Sequence, residues 1–242
     1  MLIQIKLFNT YSKLECDYPL EDKVFAELRN EISYVKGNYK PSLFARRPGI
    51  GWTFPTGLLS QVSTLLRKYH QVEILDYRKH VENSDAKYVW NPDVTLYPYQ
   101  HEAAALAVEK TRGIVYAGTG GGKTRISART IFKLQKKAFV VVINSLAWQD
   151  TYDGYCQYFQ YADIGVWAGD RKEIGDITIV TIQALTRALE TKSALWRAFL
   201  QADIVMLDEI HTTAGPGAWG QCILESTAYY KFGLSGTPYR GR

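Results

Sequence analysis

Apolar and polar residues alternate at the start of the chain. Ile3, Ile5 and Leu7 interleave with Gln4 and Lys6, the pattern of a strand with one buried face. Val24, Phe25, Leu28 and Ile32 then recur at helical spacing, and Leu58, Val62, Leu65, Leu66 and Tyr69 do so again further on. Between them, Gly37-Asn38 and Pro48-Gly49-Ile50-Gly51 supply turn residues, and Val72 and Ile74 open another strand. The predicted order is strand, strand, helix, short strands, helix, strand: a small α+β domain.

From Arg78 to Asp93 the chain is polar and follows neither period, which places a boundary between domains 1–88 and 89–242. Beyond it the pattern changes to short apolar bursts separated by helical segments. The bursts are 114–117, 139–143, 164–167, 177–181, 204–207 and 231–235. Short strands that are apolar on both sides, alternating with helices, predict a parallel sheet covered on both faces, an α/β architecture.

Composition narrows the class without naming it. The 242 residues are 46% hydrophobic and 22% charged, ordinary for a globular protein. No apolar run is long enough to span a membrane, and the start does not read as a signal peptide, so a cytoplasmic location is expected. Cys16, Cys156 and Cys222 are far apart and lack zinc-site spacing. The net charge of +5 matters through its distribution. Residues 32–72 contain no Asp or Glu but hold Lys36, Lys40, Arg46, Arg47, Arg67 and Lys68 among Tyr34, Tyr39, Phe44, Trp52, Phe54 and Tyr69. Such a segment suits a phosphate backbone with stacked bases, and equally a solvated basic face over a small aromatic core.

Chemistry concentrates at two places. Ala117-Gly118-Thr119-Gly120-Gly121-Gly122-Lys123-Thr124 follows a predicted strand and opens a predicted helix. Glycines let backbone N–H groups converge on an anion at a helix N-terminus. Lys123 is placed to reach the β- and γ-phosphates of ATP, and the Thr124 hydroxyl to ligate Mg2+. The second place is Ile204-Val205-Met206-Leu207-Asp208-Glu209-Ile210-His211, an apolar strand ending in two carboxylates. An Asp-Glu pair alone is more often a solvated turn. Downstream of a phosphate loop, Asp208 suits the Mg2+ shell and Glu209 suits activation of the attacking water. The two roles fit adjacent residues only if the chain turns between them.

Together these motifs resemble a superfamily 2 helicase of the DExH type. The 117–124 loop resembles motif I and 208–211 resembles motif II. Tyr97-Pro98-Tyr99-Gln100 resembles the adenine-reading segment, which implies that Gln100 recognises the adenine edge and Tyr97 packs on the base. Gly233-Leu234-Ser235-Gly236-Thr237-Pro238-Tyr239-Arg240 resembles motif III in its XPB-like form. By that resemblance Ser235 and Thr237, joined by His211, couple nucleotide state to grip on nucleic acid. Thr181-Ile182-Gln183 resembles motif Ib, with Thr181 near a strand phosphate. Motif Ia departs from pattern, with Asn144-Ser145 where Pro-Thr is usual, although Ser145 still carries a donor. The domain at 1–88 resembles the small domain of bacteriophage UvsW-type helicases, which implies DNA binding through Lys36, Lys40, Arg46 and Arg47 and action on branched or forked DNA.

The resemblance implies a RecA-like P-loop NTPase lobe preceded by the small α+β domain, with ATP and Mg2+ as cofactors and DNA as partner. It also implies a second RecA-like lobe carrying an arginine finger, and no segment of this chain matches one. ATP turnover by these residues alone is therefore expected to be slow. A double-stranded DNA translocase of restriction-enzyme type, a DExH RNA helicase and a non-catalytic ATP- or DNA-binding module remain as alternatives. The sequence leaves the oligomeric state open.

Overall fold

The structure is a computed structural model; it describes residues 2–32, 43–143, 147–213 and 218–237. The chain divides into two compact units, 1–79 and 80–242.

Among the described residues, the first unit is a five-stranded sheet backed by two helices. Its elements are β1 (Leu2–Leu7), β2 (Tyr11–Cys16), α1 (Asp22–Glu31), β3 (Ala45–Arg47), β4 (Gly51–Pro55), a 3-10 turn (Thr56–Leu58), α2 (Leu59–Arg67) and β5 (Gln71–Asp76). The sheet order is β3-β4-β2-β1-β5, with β1 and β5 parallel and the other pairs antiparallel. Alternation along β1 buries Ile3, Ile5 and Leu7 against Val24 and Leu28 of α1 and Val62, Leu65 and Leu66 of α2. Gln4 and Lys6 are left on the opposite face.

The second unit contains β6 (Val89–Trp90), α3 (Pro98–Lys110), β7 (Arg112–Tyr116), α4 (Lys123–Leu134), β8 (Ala138–Val142), α5 (Ala147–Tyr158), β9 (Phe159–Tyr161), β10 (Ile164–Ala168), β11 (Arg171–Lys172), β12 (Ile177–Thr181), α6 (Ile182–Thr191), α7 (Ala194–Leu200), β13 (Ile204–Leu207), α8 (Ile210–Thr213), α9 (Ala218–Glu225) and β14 (Tyr230–Ser235). Among the described residues, seven strands form one sheet in the order β11-β10-β12-β8-β13-β14-β7. All its pairs are parallel except β10 with β11. The central strands β8, β12 and β13 are buried at every position. Successive residues of β8 serve opposite cores: Val140 and Val142 pack with Ile131, Tyr155 and Tyr158 on one face. Phe139 and Val141 pack with Leu185, Trp196 and Phe199 on the other. Each predicted burst is thus a strand within about two residues of its expected limits, and the continuous apolar runs reflect helices on both faces.

The units divide nine residues before the expected boundary, because 80–88 is bonded to the second unit rather than periodic in itself. His80 Nδ1 lies 2.6 Å from the fully buried Asp203 carboxylate, and the Val81 N–H donates to the same carboxylate at 3.0 Å. The Tyr88 hydroxyl donates to the carbonyls of Lys136 (2.9 Å) and Asp176 (3.1 Å). These partners are backbone groups and one side chain at the amino ends of the sheet strands, so nothing repeats along the segment.

Candidate nucleotide site

The loop from Ala117 to Gly122 leaves the carboxyl end of β7 and enters α4 at Lys123. Its glycines answer distinct steric demands. Gly120 (φ 78°) and Gly122 (φ 74°) adopt left-handed backbone that costs other residues free energy. A Cβ at Gly121 would stand 3.0 Å from the Gly118 carbonyl oxygen, and one at Gly122 only 2.2 Å from Gln100 Nε2. The Gly121 N–H donates to the Gly118 carbonyl at 2.9 Å, closing the curl. Gly236, after β14, comes close to the same loop: a Cβ there would be 3.6 Å from both Lys123 Nζ and Thr119 N.

β13 brings the acidic pair to the same end of the sheet. The Asp208 N–H still donates to Val141 of β8 at 2.9 Å, so Asp208 ends the ladder. Glu209 then turns through φ 46°, a left-handed conformation rare for a residue with a side chain. This is the turn that two adjacent roles require. The Asp208 carboxylate accepts the Glu209 N–H at 3.0 Å, while Glu209 Oε1 accepts from Lys123 Nζ at 2.8 Å. Burial pushes the Asp208 carboxyl above its ordinary pKa, and the Glu209 charge adds to that. The Glu209 N–H, Lys123 and His211 pull it back.

From Glu209 the polar contacts continue into β14. His211 Nδ1 lies 3.2 Å from Glu209 Oε2 and 2.9 Å from Ser235 Oγ. Ser235 is fully buried, and its Oγ accepts the Thr237 N–H at 3.0 Å. Lys123, Glu209, His211, Ser235 and Thr237 thus form one connected row between the phosphate loop and the segment after β14.

Tyr97 and Gln100 sit at the start of α3 beside the loop. Tyr97 is 61% exposed and stacks on Tyr99 with ring centroids 5.8 Å apart and planes 8° apart. Gln100 is buried: its Oε1 accepts the Tyr97 N–H at 3.0 Å, and its Nε2 donates to the Gly121 carbonyl at 3.4 Å. Gln100 therefore braces the loop, and the exposed Tyr97–Tyr99 pair presents a face outward. Tyr99 also donates to the Gly121 carbonyl at 3.2 Å, a role its sequence position did not single out. Neither did the sequence point to Ser127, whose hydroxyl bonds the Thr124 carbonyl (2.9 Å) and the buried Tyr155 hydroxyl (2.7 Å) behind the loop. No sequence signal links Ser127 and Tyr155, which are 28 positions apart.

The expected nucleic-acid residues are more scattered. Thr181 is 7% exposed and caps α6, its hydroxyl accepting the Ala184 N–H at 3.4 Å. Arg46 and Arg47 are exposed on β3, in the other unit. Lys36, Lys40 and Ser145 lie outside the described residues.

The site has relatives. The ResIII family (Type III restriction enzyme, res subunit) matches residues 93–240. Over 217 residues the chain is 25% identical to the DNA 3'-5' translocase XPB2 of Sulfurisphaera tokodaii, covering 86% of this chain and 46% of the relative. The chain therefore spans less than half the length of that relative. Among solved structures, the UvsW helicase of bacteriophage T4 superimposes with a TM-score of 0.72 at 18% identity, covering 98% of this chain and 93% of that chain. A second T4 UvsW structure gives 0.73 at 19%, covering 98% of this chain and 53% of that one. At such identities these matches speak for the fold alone. With well over half of its residues matched, the chain belongs to the ResIII helicase family.

Proposed function

We propose that this chain is the nucleotide-binding part of an ATP-driven DNA helicase or translocase that works on branched or forked DNA. The observation that carries the reading is the convergence, at the carboxyl ends of β7 and β13, of a glycine-shaped anion loop with Lys123, Asp208 and Glu209. Family membership and the curated relative, named as a DNA translocase, support it. The preference for branches rests on the likeness of the small unit to UvsW-type helicases.

The residues fit ATP with Mg2+. Gly118 to Gly122 offer backbone N–H groups and the amino end of α4 to phosphate oxygens, in a curl that Cβ atoms would obstruct. Thr124 and Asp208 would hold the cation, which when bound supplies positive charge against the phosphates. Lys123 exchanges Glu209 for phosphate oxygens, which frees the Glu209 carboxylate to orient a water and take its proton. The exposed Tyr97 ring, stacked on Tyr99, offers a face to the adenine. His211, Ser235 and Thr237 link Glu209 to the segment after β14, a route by which nucleotide state reaches a nucleic-acid contact. Arg46 and Arg47, with Lys36 and Lys40, add sequence-independent attraction to phosphates, and Ser145 and Thr181 are assigned to strand contact.

The test is a titration of the chain with a fluorescent ATP analogue and Mg2+, for wild type and Lys123→Ala, followed by ATP turnover of the whole protein, second lobe included, with forked DNA, linear duplex and RNA. Saturable binding lost in the variant, with forked DNA the best activator, is the expected result. RNA as the best activator would make it an RNA helicase, and equal activation by linear duplex would make it a duplex translocase. Binding insensitive to Lys123 would overturn the site.

A further inference from the structure

The solvent face of the small unit's sheet carries a row of three aromatic rings that the nucleotide site does not use. Phe8 stands in the turn between β1 and β2. Its ring centroid is 5.0 Å from that of Tyr11 and 5.9 Å from that of Tyr77, with planes 30° and 18° apart. Each end of the row meets a cation: Arg47 lies 5.3 Å from the Tyr11 centroid and Lys6 lies 6.0 Å from that of Tyr77. Tyr77 is 49% exposed, and Phe8 and Tyr11 are half-buried.

The backbone under the row is held in place. Thr56 donates its hydroxyl proton to the Phe8 carbonyl at 2.8 Å, and buried Ser12 donates to Thr56 at 3.1 Å. The Tyr77 N–H donates to Leu7 at 3.0 Å. The Asn9 side chain then grips Lys79 twice, donating to its carbonyl at 2.7 Å and accepting its N–H at 2.9 Å. Rings fixed in this way lose little entropy on accepting a ligand. Lys13 and Lys6, both 2.6 Å from Glu15, stand on the same face, so the cations Lys6, Lys13 and Arg47 outnumber that carboxylate.

Three neighbouring rings, one pair stacked at 18° and the other tilted by 30°, ended by cations, suit a strand of unpaired bases joined by phosphates. A duplex would present no free base face to such rings. We propose that Tyr11, Phe8 and Tyr77 form a stacking platform for successive bases of single-stranded DNA, with Arg47 and Lys6 on the flanking phosphates. The platform rests on the nucleic-acid part of the function proposed above and is independent of the nucleotide site.

Binding of fluorescein-labelled oligothymidylate, compared with an abasic oligomer of the same length and charge, tests it by anisotropy. Wild type binds the thymidylate more tightly than the abasic backbone. Tyr77→Leu and Tyr11→Leu keep the apolar bulk but lose the ring; each weakens thymidylate binding by about fivefold or more and leaves abasic binding unchanged. Circular dichroism melts and fluorescent-ATP titration of the same samples report folding and the other site, and the exposed Tyr77 remains informative if Tyr11→Leu unfolds. Equal wild-type affinity for thymidylate and abasic backbone would overturn the platform while leaving DNA binding intact. Absence of binding to either would overturn both the platform and the small unit's DNA role, whatever the ATP titration gives.

Discussion

Lys123 Nζ and Glu209 Oε1 are 2.8 Å apart, a partly buried ion pair between the phosphate loop and the end of β13. The lysine proposed for phosphate and the glutamate proposed for water are each other's partner. On the proposed function, phosphate oxygens would compete with Glu209 for the ammonium, and nucleotide binding would release the base in the same event. Lys123→Ala is expected to weaken fluorescent-ATP binding about 10- to 100-fold, the worth of a charge-assisted hydrogen bond. Glu209→Gln is expected to leave that affinity within a few-fold and to lower turnover about 10²- to 10⁴-fold. A matched loss in both measurements for Glu209→Gln would remove it from the chemistry.

Ser235 is the buried joint between His211 and the Thr237 N–H. Ser235→Ala leaves both groups without that partner. A loss of about 1–3 kcal/mol in urea denaturation is expected, because a buried polar group then lacks its bond. In an enzyme that couples nucleotide to DNA, the same variant should lower DNA stimulation of turnover more than basal turnover.

Lys231, the second residue of β14, pairs with Arg112 of β7, with its ammonium on the Ser226 carbonyl at 2.6 Å. Burial, aided by the Arg112 charge, lowers its pKa to about 7. The unfolded chain keeps the ordinary lysine value, so between these two pKa values it binds more protons than the folded chain. Stability from this group therefore rises with pH across that window, and its full cost applies below the folded value. Lys231→Met should raise the melting temperature at pH 6, and the advantage should shrink towards pH 10. An advantage constant with pH would show that the ammonium is not destabilised by its site.

His80 and Val81 are tied to the Asp203 carboxylate at the amino end of β13. Asp203→Ala should release 80–88 and speed tryptic cleavage after Lys79 and Lys87. Unchanged cleavage kinetics would show that the contacts to Lys136 and Asp176 suffice.

The phosphate loop, the acidic pair and the six main strands were legible because their signals are local. Left-handed backbone at Gly120 and Gly122 demands glycine wherever the loop occurs. Strands covered on both faces favour apolar residues at every position, as in β8 and β13. Other features needed the tertiary structure. The contact of the Gln100 amide with the Gly121 carbonyl is set by how α3 packs beside the loop, not by its neighbours in sequence. That the Thr181 hydroxyl caps α6 is likewise seen only in the folded chain. The 80–88 segment carries no period because its partners are scattered backbone groups. Pairing of Lys123 with Glu209 across 86 positions depends on β14 lying between β7 and β13 and on the left-handed turn at Glu209. Likewise Phe8 meets Tyr77 only because β5 runs parallel beside β1 and Asn9 pins Lys79. By itself the sequence determined which residues must be glycine, apolar or charged, since those requirements are set within a turn or a strand. Strand order and backbone direction decided which charged and aromatic groups face one another, since a contact between distant residues is a property of the packed sheet.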